Sequence, residues 1–100
     1  MAVSVLLSGT LKDGMVDQFT QMCSDSLDST RKSDGCQNIN LTYHTKEPNK
    51  FVLTEVWDTK AKYMEYVVLR REDGTSEKMA EMCDEGPYID IFNIIDVQSA

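Results

Sequence analysis

The sequence contains no apolar run approaching the ~20 residues needed to cross a bilayer as a helix. It has no block of basic residues, no C-x-x-C pair and a single histidine, His44. Acidic side chains outnumber basic ones 17 to 10, for a net charge of −7. That balance excludes nucleic acid and anionic membrane surfaces as expected partners, because both need Lys and Arg to replace counterions along phosphates. The amino terminus shows no charged region, apolar core and small-residue cleavage site in series, so a cytoplasmic chain is expected. Cys23, Cys36 and Cys83 are odd in number and widely spaced. Neither a disulfide framework nor a tetrahedral zinc site is written in them, and reduced residues in or near the core are expected, with no metal. At 100 residues the chain supports one domain, residues 1–100.

What is present is a regular alternation of elements with no linker, repeat or low-complexity segment. Ala2 to Thr10 sets Val3, Val5 and Leu7 against Ser4, Leu6 and Ser8, the period of a strand. From Met15 the residues Val16, Phe19, Cys23 and Leu27 recur at three and four, with Met22 beside them, which is a helix. Asp13 is placed to cap it, and Arg31 and Lys32 suit its C-terminal end. A second strand, Cys36 to His44, follows the Asp34-Gly35 turn, and Lys46 to Lys50 forms a hairpin loop into a third, Phe51 to Trp57. Asp58 or Thr59 starts a second helix running through Arg71. Its core side is read as Met64, Val67 and Val68, with Tyr63, Tyr66 and Arg70 as a neighbouring stripe. Gly74 breaks it, and Thr75 or Ser76 caps a short third helix whose Met79, Met82 and Cys83 face inward. Gly86-Pro87 ends that helix, and Tyr88 to Val97 reads as a last strand. The order predicts an α+β, ferredoxin-like β-α-β-β-α-β fold with a four-stranded antiparallel sheet and an extra short helix before the last strand.

Two helices cover one face of such a sheet only. Strands three and four nevertheless carry large apolar groups in both phases: Phe51, Leu53 and Trp57 against Val52 and Val56, then Ile89, Ile91 and Ile95 against Phe92 and Ile94. Each such side chain forgoes roughly 1.5–3 kcal/mol if left wet. A second copy of the chain, packed sheet to sheet as a homodimer, is the expected cover.

The strings Ser29-Thr30-Arg31-Lys32-Ser33-Asp34-Gly35-Cys36 and Phe51-Val52-Leu53-Thr54-Glu55-Val56-Trp57-Asp58, in this element order, resemble the antibiotic biosynthesis monooxygenase domain family of the dimeric α+β barrel superfamily. The resemblance covers roughly residues 3–96. It implies a homodimer joined through its sheet faces, a small pocket between sheet and helices in each subunit, and no cofactor. Some members are similar cofactor-independent monooxygenases that oxidise polycyclic phenols or quinols with molecular oxygen, and a related branch degrades haem. Members often carry a histidine on the second helix, nine positions after the strand Trp, and here that position is Tyr66. The haem-degrading branch resembles a site with an Asn on the first strand and a Trp and His on the second helix. Here the first strand has Ser4 and Ser8 and the second helix has no Trp, which disfavours haem degradation.

If Trp57 points toward the helices, Leu53 and Glu55 do too, because strand residues two apart share a face. The expected site then has Trp57, Tyr63, Leu53 and Glu55 binding a small aromatic molecule, with Tyr66, Arg70 and His44 as catalytic candidates. Tyr63 or Tyr66 would donate to a phenol oxygen, Arg70 would stabilise the phenolate, and His44 or Glu55 would take the proton. A buried Glu55 needs a partner, for which Arg31, Arg70 and Arg71 are candidates. Two other readings stand beside the enzyme: a non-catalytic ligand-binding or stress-related dimer of the same fold, and a purely structural dimerisation module.

Overall fold

A computed structural model describes residues 1–96. The elements run β1 (Val3–Leu11), α1 (Val16–Arg31), β2 (Cys36–Tyr43), β3 (Lys50–Trp57), α2 (Lys60–Glu72), α3 (Thr75–Glu81) and β4 (Cys83–Asn93). The four strands form one antiparallel sheet in the order β2-β3-β1-β4, so β1 and β3 are central. This is the ferredoxin-like arrangement that the element order predicts, with α3 as the added helix.

Period-two alternation in β3 settles which face is the core. Phe51, Leu53, Glu55 and Trp57 are all buried, while Val52, Thr54 and Val56 between them are half-buried on the other face. Register carries that phase across the sheet: Val3 lies opposite Trp57, Val5 opposite Glu55, and Ile39 of β2 opposite Glu55 from the other side. The helices cover this one face and make two buried clusters with it. Phe19, Cys23 and Leu27 of α1 pack with Leu11, Ile39, Phe51 and Leu53, and Tyr63 and Val67 of α2 pack with Val3, Val5 and Trp57. The opposite face is open. It presents Leu6, Val52 and Val56 half-buried and Tyr88 and Phe92 exposed, beside the polar Asn38, Asn40 and Thr42 of β2.

Several local expectations change. Asp13 does not cap α1, whose N-cap is Met15 with no side-chain bond, because the Asp13 carboxylate accepts from Asn49 Nδ2 at 2.7 Å and ties the helix entry to the β2–β3 loop. Thr59 caps α2, accepting from the Lys62 amide at 3.1 Å. The inward stripe of α2 is Tyr63 and Val67, and Met64 and Val68 are exposed. Tyr63 packs edge-on to Trp57 with ring centroids 5.5 Å apart, and that contact sets the helix rotation in place of the aliphatic pair. Neither Thr75 nor Ser76 caps α3; the N-cap is Gly74 at φ 84°, and the Asp73 carboxylate holds the Thr75 amide at 2.9 Å. Met82 and Cys83 are buried beyond the helix end.

Gly86 and Pro87 lie inside β4 rather than before it. They occupy the irregularity where β4 shifts register against β1, between Tyr88 opposite Ser8 and Glu85 opposite Thr10. A bulge tolerates a residue with no amide to donate, which lets the strand begin five residues earlier than its alternation shows. The strand also ends earlier than expected, at Asn93, with Ile94 to Asp96 outside it, and Val97 lies outside the described residues. All three cysteines are free thiols, Cys23 and Cys83 buried and Cys36 half-buried. Among the described residues no helix is long and apolar enough to cross a membrane.

The turn between α1 and β2 depends on Gly35. Its φ is +90°, its carbonyl accepts from the Asp58 amide at 2.8 Å, and a Cβ there would sit 2.6 Å from Lys62 Cβ at the start of α2. Gly14 has a similar φ, +82°, in open space. Gly35→Ala is expected to cost roughly 1–3 kcal/mol in urea denaturation and distinctly more than Gly14→Ala, which carries the backbone strain alone.

Candidate active site

A cavity of about 250 Å³ lies between the sheet and the three helices. Its walls are mostly apolar, including Met22, Leu27, Ile39, Leu53, Met79 and Ile89, and several polar side chains enter it from defined places. Glu55 rises from the middle of the central strand β3. Tyr63 and Tyr66 descend from α2, and Thr30 comes from the last turn of α1.

Glu55 is 3% exposed, and none of Arg31, Arg70 and Arg71 forms an ion pair with it. Its partner is Trp57. The two residues share a strand face, and Trp57 Nε1 donates to Glu55 Oε1 at 3.0 Å. Among the described residues no donor reaches Oε2, and the carboxyl lines the cavity. Burial raises this carboxyl from 4.5 to about 7, opposed only by the indole hydrogen bond. It is therefore poised to exchange a proton near neutrality.

Tyr63 is 1% exposed, and its phenol is pushed well above its ordinary range, first by burial, then by the Glu55 charge and by Tyr66. Its hydroxyl makes no hydrogen bond to the described residues while the side chain lines the cavity. A ligand oxygen would therefore meet Tyr63 as a free donor. Tyr66 differs. Its hydroxyl sits 2.8 Å from Thr30 Oγ1, and Thr30 donates to the Ser26 carbonyl at 3.3 Å. Either hydroxyl of this pair can donate to the other, and in both arrangements the Tyr66 hydroxyl is engaged within the protein.

Arg70 is also engaged. Its guanidinium donates to Asp73 at 2.6 Å and lies 5.0 Å over the Tyr66 ring. Asp73 is held down to about 2 by Thr75 first and by Arg70 as well. Arg70 thus clamps Tyr66, with its charge already balanced by a carboxylate. Arg71, Thr75 and Ser76 line the same end of the cavity, at the junction of α2 and α3.

Two sequence candidates lie elsewhere. Trp57 is fully buried behind Tyr63 and Tyr66, whose ring centroids are 5.5 Å and 4.9 Å from its own, so it offers no face to a ligand. His44 lies one residue past β2, exposed, where its Nδ1 accepts from the Lys46 and Glu47 amides at 3.0 Å each. It holds a turn and does not line the cavity. Leu53 lines the cavity as expected.

Thr30 and Cys23 are the members that sequence reasoning overlooked. Both fall on the helical stripe with Phe19 and Leu27, so the wheel carried the signal, but Thr30 is polar and was left out of the core. Burial raises the Cys23 thiol to about 11. Among the described residues no group of His, Cys, Asp and Glu side chains is arranged to hold a metal ion.

The family model for antibiotic biosynthesis monooxygenase matches residues 2–74. No curated protein matches the chain in sequence. Solved structures share its fold at low identity. A conserved protein from Methanosarcina mazei is 21% identical, with 92% of this chain and 91% of that one covered and a TM-score of 0.79. A Mycobacterium tuberculosis protein is 15% identical over 99% of this chain and 100% of that one, TM-score 0.85. A mutant of a cofactor-independent oxygenase from Streptomyces nogalater is 11% identical over 96% and 95%, TM-score 0.81.

The Glu55 carboxyl also fixes a stability signature. Its folded value of about 7 exceeds the ordinary 4.5, so between those values the unfolded chain ionises while the folded chain stays protonated. Stability is full below about 4.5, falls as pH rises, and has lost about 3 kcal/mol above 7. Glu55→Gln keeps an acceptor for Trp57 and removes the titration. Its melting temperature is expected to exceed the parent's clearly at pH 8 and only slightly at pH 5; an equal difference at both would contradict a neutral buried carboxyl.

Proposed function

The chain belongs to the antibiotic biosynthesis monooxygenase family, and from that footing we propose that it is a small monooxygenase oxidising a quinol or polycyclic phenol with molecular oxygen, the electrons coming from the substrate itself. The observation that carries this reading is Glu55: a carboxyl shifted to about 7, anchored by one oxygen and facing an apolar cavity with the other. Such a group is a general base near neutral pH.

The chemistry divides among this chain's residues. Glu55 takes the phenolic proton of the substrate. Tyr63 donates to the oxygen that becomes negative, and low-dielectric walls strengthen that bond. The electron-rich anion then reduces oxygen at an activated ring carbon. The new C–O bond forms as a hydroperoxide whose O–O bond breaks with loss of water, so that an anthrone CH₂ and O₂ give C=O and H₂O, and a hydroquinone and O₂ give a hydroxyquinone and H₂O, with the substrate as the only reductant. Tyr66 and Arg70 act as a fixed wall, and Trp57 is a positioning residue that aims Glu55. A fold shared with the Streptomyces nogalater oxygenase supports the reading.

The reading includes a homodimer. The open sheet face carries Leu6, Val52, Val56, Tyr88 and Phe92, a surface suited to its own two-fold copy. Sedimentation of the unchanged chain at micromolar concentration is expected to give twice the mass of one chain, and Val56→Asp to give one; a stable monomer of the parent removes the dimer.

Oxygen uptake with a panel of hydroquinones and anthrones tests the reaction. Activity is expected to rise with pH through a midpoint near 7, as Glu55 ionises. Glu55→Gln should lower kcat by about 100-fold or more, and Tyr63→Phe by on the order of 100-fold. Binding without uptake across the panel would favour the non-catalytic ligand-binding dimer instead.

A further inference from the structure

The cavity has two chemically different ends, and only one is used by the proposed proton transfer. Glu55 and Tyr63 occupy the first. At the second stand Arg71 in the last turn of α2 and the hydroxyl residues Thr75 and Ser76 at the start of α3. Two arginines line the cavity, and they differ in one respect. Arg70 is bound to Asp73, whereas no carboxylate of the described residues lies within 4.0 Å of Arg71. Several basic side chains of the described residues make no ion pair, but Arg71 is the one among them that lines this cavity. Its field reaches inside, since Arg71 is among the charges that act on the buried Tyr63 phenol.

Resting on the monooxygenase reading above, we infer that Arg71 anchors a carboxylate carried by the substrate, so that the substrate class is an aromatic quinol acid whose carboxylate and reacting hydroxyl lie at opposite ends. Three features fix these terms. Arg71 follows Tyr63 by eight residues, about 12 Å along the helix axis at 1.5 Å per residue, so anchor and donor are separated by the length of a small ring system less the reach of the arginine side chain. A cavity of about 250 Å³ lies at or below the lower edge of the ~300–1,000 Å³ usual for ligand pockets, which favours a compact skeleton of two or so fused rings. One guanidinium fork matches one carboxylate, while Asp73 nearby disfavours a doubly charged group.

The arrangement also separates binding from chemistry. A carboxylate held at Arg71 orients the far hydroxyl toward Glu55. A neutral quinol of the same shape would fit the walls but lack this orientation.

The test uses anaerobic calorimetry, in which no oxidation occurs. The probes are a dihydroxynaphthoate with its carboxylate and hydroquinone on different rings, its methyl ester, and unsubstituted naphthohydroquinone. The acid is expected to bind the intact protein about 10- to 100-fold more tightly than the ester. Arg71→Met should bring the acid to the affinity of the ester and leave the ester unchanged, and Arg71→Lys should restore part of the difference. Arg71 is exposed, so these variants are expected to fold, which circular dichroism checks. Equal binding of acid and ester, no binding of any probe, or a preference that survives Arg71→Met overturns the inference. Oxygen uptake is read separately. A preference for the acid that depends on Arg71 and is kept in Glu55→Gln upholds the anchor even if no probe is oxidised, in which case the monooxygenase reading fails alone.

Discussion

The hydrogen bond from the Trp57 indole to the Glu55 carboxyl is the constraint around which the rest is arranged. A carboxyl on the inward face of a central strand is costly to bury, and among the described residues no ion pair relieves it. One indole donor satisfies one oxygen and leaves the proton affinity high. That is the condition for a group that changes protonation near neutral pH, and it exists because residues two apart on a strand share a face. The same Trp57 ring receives Tyr63 and Tyr66, so the pair that sets the chemistry of the cavity floor also sets the rotation of the helix that roofs it.

The polar groups of the cavity form a division between committed and uncommitted atoms. Tyr66 and Arg70 are the most conspicuous residues of the stripe, yet the hydroxyl of one and the charge of the other are engaged inside the protein. Tyr63, Glu55 and Arg71 keep capacity that no other described residue uses. Reading a site by residue type favours the first pair; reading it by unfilled hydrogen bonds and charges favours the second set.

Most of the fold was legible because it rests on periodicity. The alternation from Phe51 to Trp57 gave the buried face of β3, and Phe19, Cys23 and Leu27 gave that of α1. The errors arose where a local signal met a tertiary one. Gly86-Pro87 reads as a stop, but a bulge absorbs it. Met64 and Val68 read as core by hydrophobicity, but an aromatic contact between Tyr63 and Trp57 turns the helix away from them. Asp13 reads as a cap until Asn49, 36 positions distant, takes its carboxylate. In the site, Glu55, Tyr63, Tyr66, Arg70 and Leu53 were placed together correctly from strand phase and helical spacing. The absence of His44 from that group was not legible, because a strand end beside a loop points wherever the loop folds.

Cys23 gives the cavity a property of another kind. Quinones are electrophiles, and a thiolate adding to one would block the chamber in which it formed. With the Cys23 thiol at about 11, only on the order of one molecule in ten thousand carries the reactive anion at neutral pH. Under the proposed oxidation the buried sulfur would meet a quinone product as a small soft wall and not as a nucleophile.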